Sequence, residues 1–162
     1  MKPAMKALFY AVSFALLPLV GCTSKPPVSV INEAATLTGQ LPHNPFAWKV
    51  ITSSINRRNA TMSTLYGNDL AVAYARGNSG HDYPAGSVLA LVTWAQREDP
   101  HWFGARIPSV PQSVEFVTIP STAGAGPAYQ RYQGSPLARV TASDGDATRV
   151  EYLTTQRAAV MP

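Results

Sequence analysis

The chain is short of the residues that most often announce a function. Among its 162 residues there is one cysteine, and only two lysines, Lys25 and Lys49, follow the first twenty-one positions. A single thiol at Cys22 excludes an intrachain disulfide and a thiolate-rich metal site, so the fold must be held by apolar burial. A hydrophobic fraction of 46% is ample for that. There is no Ser-His-Asp order, no glycine-rich phosphate loop and no His-x-x-x-His pair. Asp144-Gly145-Asp146 matches a calcium loop in two residues only and reads as a turn before a helix. The sequence therefore names no catalytic residue and no metal site. The formal net charge of +4 falls to +2 once Lys2 and Lys6 are set aside with the first twenty-one residues, which leaves no basis for a nucleic-acid partner.

Lys2 and Lys6 precede an apolar stretch from Ala7 to Val20, too short for a membrane span but the right length for a secretory signal. The stretch ends Leu19-Val20-Gly21-Cys22, which resembles a bacterial lipobox. That resemblance implies lipidation of the Cys22 thiol, palmitate among the acyl groups, and cleavage before it. The competing reading makes Cys22 a buried core thiol at the end of an apolar helix. The sequence thus divides into a signal peptide at 1–21, a lipid anchor and flexible tether at 22–45, and a domain at 46–162. Several acyl chains hold far more firmly than one. Thr23 and Ser24 follow the cysteine where many inner-membrane lipoproteins have Asp, so the expected location is the cell envelope, facing the periplasm from the outer membrane. Four prolines and little periodicity suit residues 23–45 to a tether.

Within the domain, FAWKVITSSI and ATMSTLYG read as two strands joined by the polar turn NRRN. NDLAVAYARG opens on an Asn68-Asp69 cap signal and stops at Gly77, as a short helix does. SVLALVTWAQ puts Val88, Ala90, Val92 and Trp94 on one face and Leu89 and Leu91 on the other, the mark of a central strand covered above and below. REDPHWFGARIP is irregular, QSVEFVTIP is a further strand, and PAYQRYQGSPL is a last strand or extended edge. GDATRVEYLTTQRAAVM places Val150, Leu153, Arg157 and Val160 at helical spacing. The expectation is an α+β fold, mainly antiparallel β-sheet with short helices and a C-terminal helix.

The order of WKVITSSI, ATMSTLYGN with its Gly67-Asn68 pair, YPAGSVLALVTW and VEFV resembles the cytochrome P-460 family, over roughly Phe46 to Pro162. The resemblance implies a small sheet domain whose pocket holds haem through C-x-x-C-H near the C-terminus, with a lysine cross-linked to the macrocycle. The chain departs from this at the chemistry. It has no C-x-x-C-H, Asp146 to Pro162 contains no histidine, and Leu91 stands where the resemblance places the lysine. The expected function is a lipid-anchored, non-catalytic binding or interaction module with no cofactor, taking a small apolar or planar ligand. The alternative is a noncovalent haem protein acting on small nitrogen compounds or peroxide.

Iron in that alternative needs an axial His, Met, Cys or Tyr. His43, His81, His101, Met62 and Met161 are the candidates. His101 leads, because Trp102 and Phe103 can flank a ring and Arg106 can meet a propionate. Against this stands a loop whose aromatics plug the core edge while His101 is solvated. Glu98-Asp99 beside His101 forms either a proton-transfer cluster or an exposed acidic face, and Arg57-Arg58 is a charged turn. Glu115 lies in a strand, facing away from Val114 and Phe116.

Overall fold

The computed structural model describes residues 31–77, 82–122, 124–141 and 143–159. Cys22, Thr23, Ser24, Lys25, His81 and Met161 lie outside the described residues, and with them the signal and lipobox readings. Six strands run in sequence order through one antiparallel sheet: β1 (Lys49–Asn56), β2 (Thr61–Gly67), β3 (Val88–Glu98), β4 (Arg106–Thr118), β5 (Ala128–Gln133) and the short edge β6 (Ala138–Arg139). Helix α1 (Asp69–Gly77) leads from β2 toward β3, and α2 (Asp146–Thr154) follows the sheet. The fold is α+β, as the pattern predicts, with β3 and β4 at the centre.

Alternation along β3 fills two cores at once. Leu89 and Leu91 join Ile51, Leu65, Val117, the α1 residues Ala71, Val72 and Ala75, and Leu153 of α2. Val88, Ala90, Val92 and Trp94 join Val114, Phe116, Tyr132 and Leu137 on the other face. One layer of sheet thus carries helices on one side and, on the other, the segment before β1.

That segment corrects the expected domain boundary. Residues 31–45, read from their prolines as tether, are folded against the sheet. Ala35, Leu37, Leu41 and Trp48 pack on the second core. The Trp94 indole N–H donates to the Ala35 carbonyl at 2.9 Å, the Leu137 N–H donates to the Thr38 carbonyl at 2.8 Å, and Pro45 is buried. Gly39 permits the crossing, since a Cβ there would stand 2.2 Å from the Leu137 carbonyl oxygen. The apolar residues are too sparse to show a period, because a segment built of two 3-10 turns, Glu33–Ala35 and Pro45–Ala47, and the chain between them meets the sheet only where a side chain finds a gap.

One smaller expectation also changes. The C-terminal helix stops at Thr154, so Arg157 is not on it, and Val160 lies outside the described residues. The Thr154 hydroxyl donates to the Val150 carbonyl and the Thr155 hydroxyl to that of Glu151, local bonds that weaken helix propagation. The tail instead turns to β1, where the Ala159 N–H donates to the Ile51 carbonyl at 2.8 Å. On α1, Leu70 is exposed and Ala71, Val72 and Ala75 face the sheet.

Candidate functional site

The motif residues that carried the family resemblance form a structural clamp. The Asn68 side chain accepts from the backbone N–H of Ala71, capping α1, and from that of Val88 at the start of β3, while its amide donates to the Gly86 carbonyl at 2.8 Å. Gly86 turns the chain there with φ +84°. A Cβ on Gly67 would lie 2.8 Å from Ile51 Cδ1 and 2.9 Å from Ala71 Cβ. Gly67-Asn68 and Tyr83-Pro84-Ala85-Gly86 therefore fix how α1 leaves β2 and how the chain re-enters the sheet.

His101, Trp102 and Phe103 lie on the turn between β3 and β4, and Arg106 opens β4, all four at the surface. Trp102 is 71% exposed and Phe103 fully exposed. Arg106 pairs with Glu98 at 3.3 Å. The Asp99 carboxylate accepts from the His101 backbone N–H at 2.8 Å, which is the main cause holding Asp99 below the usual carboxylate range, and it stands 3.4 Å from the His101 ring. The four residues lie at the exposed outer end of the β3–β4 hairpin. His43 packs against Trp48 and Phe116, with ring centroids 5.2 and 6.0 Å apart, on the face away from the helices. Met62 is half-buried on β2. Among the described residues no three His, Cys, Asp or Glu side chains gather as a metal site.

The strongest polar constellation centres on Glu115, whose side chain is 3% exposed. β4 turns it toward the helical face, in register with Leu91 on one side and Arg131 on the other. Arg149 of α2 grips it with a fork: Nε donates to Oε1 at 3.1 Å and Nη2 to Oε2 at 2.6 Å. The Tyr129 hydroxyl donates to Oε1 at 2.6 Å, and Arg131 Nε stands 3.9 Å away without a hydrogen-bond partner. Burial, reinforced by the Glu115 carboxylate, pushes the Tyr129 phenol well above its ordinary value, so it remains a donor. The bond to Glu115 likewise raises Arg149. The Arg149 guanidinium also lies 4.7 Å from the Tyr152 ring centroid.

Beside this cluster is a cleft of about 350 Å³ lined by Thr93, Gln112, Ser113, Glu115, Arg131 and Arg149, among others. A second, of about 470 Å³, lies on the far side of Arg131 and is bounded by Tyr129, Arg139 and Asp146. Hydroxyl, amide and guanidinium groups dominate the wall of the first, while the second is polar and apolar in about equal measure. Glu115 was legible in the sequence only as a carboxylate on the same strand face as Val117. Its partner Arg149 follows 34 residues later, so no local pattern joins them.

A family model for cytochrome P460 matches residues 43–148, and the chain belongs to that family. No curated protein matches it. Haem is the group this family ordinarily carries, and the residues around the C-terminal helix do not fit it. The covalent motif is absent from the sequence. No residue of α2 is a histidine, methionine or cysteine, its one tyrosine, Tyr152, is exposed with its ring under the Arg149 guanidinium, and fully buried Leu153 occupies the helix–sheet junction. The Tyr129 hydroxyl is already committed as a donor to Glu115 Oε1 at 2.6 Å.

Proposed function

We propose that this chain is a lipid-anchored envelope protein in which the cytochrome P460 fold serves as a non-catalytic binding module. The supporting observation is the Arg149–Glu115–Tyr129 lock. The family resemblance implies haem held near the C-terminus; here a bidentate ion pair at 2.6 and 3.1 Å and the buried Leu153 join the C-terminal helix to the sheet directly. The ligand in this reading is a small polar anion rather than the apolar or planar molecule expected from the fold. Two guanidiniums stand against one carboxylate beside the cleft; Arg131 Nε is buried toward Glu115, while the side chain as a whole is 42% exposed and turns its outer N–H groups to an incoming acceptor. Cys22 supplies the membrane attachment, and the outer membrane is its destination.

The purified mature protein tests the proposal by its spectrum. It shows no Soret band as isolated, and a haem titration gives weak, nonsaturating changes that His101→Ala leaves unaltered. A sharp Soret band lost in that variant would overturn the reading in favour of a noncovalent haem protein. In a thermal-shift series with acetate, succinate and inorganic phosphate, at least one anion raises the melting temperature of the parent chain but not of Arg131→Gln.

A further inference from the structure

The β3–β4 hairpin carries its two most exposed aromatics at its apex. The strands of this arm pair as far out as Glu98 with Arg106. Beyond that pair, Trp102 is 71% exposed, Phe103 is fully exposed, and Gly104 makes the return with φ +77°. The charged groups nearby sit at or below the shoulder of the turn and are engaged there: Arg106 with Glu98, His101 with Asp99, and Arg97 Nη2 with the Asn32 side chain at 3.2 Å. The apex itself presents apolar surface, while the ion pairs around it leave no large field of one sign.

The same arm is where the amino-terminal end of the domain is fastened. Besides accepting from Arg97, the Asn32 side chain donates to the Pro108 carbonyl at 2.7 Å. The chain thus reaches the sheet near the outer end of the hairpin, at Arg97 and Pro108, with Trp102 at most about 17 Å of chain beyond Arg97. Ten residues separate Cys22 from Asn32, a span of at most about 35 Å when extended. Wherever Cys22 holds its acyl chains, the bilayer surface is within reach of the hairpin apex, and the tether is too short to carry the domain far from it. An adjacent Trp-Phe pair suits that boundary, where an indole lays its ring among the headgroups and keeps its N–H hydrated.

We propose that Trp102 and Phe103 dip into the interfacial region of the membrane that holds the Cys22 anchor, making the β3–β4 hairpin a second foot that orients the domain. This rests on the lipidation of Cys22 in the function proposed above. The foot turns a one-point attachment into a two-point one, in which the second contact is favoured by the high effective concentration that the first imposes.

The test uses the full mature lipoprotein in phosphatidylethanolamine–phosphatidylglycerol vesicles, with and without phospholipids brominated on the acyl chains near the headgroup. Bromine quenches a tryptophan only on contact, and Trp94 is buried in the domain. The expected result is a loss of up to a third of the emission, the share of one of the chain's three tryptophans, which disappears in Trp102→Gln and weakens in Phe103→Ser. Palmitate labelling of the same preparations reports on the anchor separately. Labelled protein without quenching, or quenching that persists in Trp102→Gln, overturns the foot while leaving the anchor standing. Absence of label on Cys22 overturns the anchor, and the foot with it.

Discussion

The two faces of the sheet are closed by different means. On one, Trp94 is the centrepiece, stacked 6.3 Å from Phe46 at an interplanar angle of 4° and capped by the Ala35 carbonyl. Phe116 meets Tyr132 edge-on at 5.8 Å. That face is aromatic, and its cover is an irregular segment that brings few backbone hydrogen bonds of its own. On the other, aliphatic side chains from two helices cover one part of the sheet. Another part is polar, with Ser63 and Thr93 hydroxyls 2.9 Å apart and Glu115 held by Arg149 and Tyr129. Aromatic burial tolerates an irregular cover because it is non-directional. A buried carboxylate needs donors at fixed positions, which a helix can supply.

Breaking each face separately sharpens this contrast. Trp94→Ala has the largest expected effect, a loss of about 3–5 kcal/mol, because it empties an aromatic site and strands the Ala35 carbonyl. Urea denaturation measures it, and a change below about 1 kcal/mol contradicts the packing described for that face.

Arg149→Met comes next, at about 3 kcal/mol, since it leaves Glu115 buried with a much weakened set of partners. Glu115→Gln costs less, about 1–3 kcal/mol, because the guanidiniums it releases are already partly solvated, Arg149 at 37% and Arg131 at 42%. The asymmetry between the two partners is the informative quantity. Equal losses in the two variants, measured in one denaturation series, contradict the assignment of the burial cost to the carboxylate.

The smallest expected effect is on pH dependence. Burial raises the Tyr129, Tyr66 and Tyr83 phenols in the folded chain, with Glu115 adding to the shift at Tyr129. The unfolded chain ionises its tyrosines near pH 10, so it loses protons first. The stabilisation is complete below that pH and declines as pH rises through the folded values. The melting temperature should fall above pH 10, less steeply in Tyr129→Phe. A parallel decline in parent and variant places the effect on Tyr66 and Tyr83 instead.

Sequence pattern carried the sheet well because each strand's signal is local. SVLALVTWAQ displays both of its faces in ten residues, and Asn68-Asp69 announces the start of α1 within three. The site was legible only in fragments. His101-Trp102-Phe103 stood out because the residues are adjacent and chemically conspicuous, yet they sit at an exposed turn. Glu115 looked ordinary because its strand face is otherwise occupied by hydroxyl and aliphatic groups, and the residues that define it come from β5 and α2.

The sequence by itself determined the order and type of the main elements, the family, and the absence of the covalent haem motif, since these depend on residue identity and on periods of two or about 3.6. Only the tertiary structure decided that residues 31–45 belong to the domain, that Gly67-Asn68 and Tyr83–Gly86 form a clamp, and that Arg149 closes on Glu115. Each of these depends on atoms brought together across long stretches of chain, as when the Trp94 indole meets a carbonyl 59 residues away. No periodicity encodes such meetings, because they follow from how the layers stack after the strands have paired.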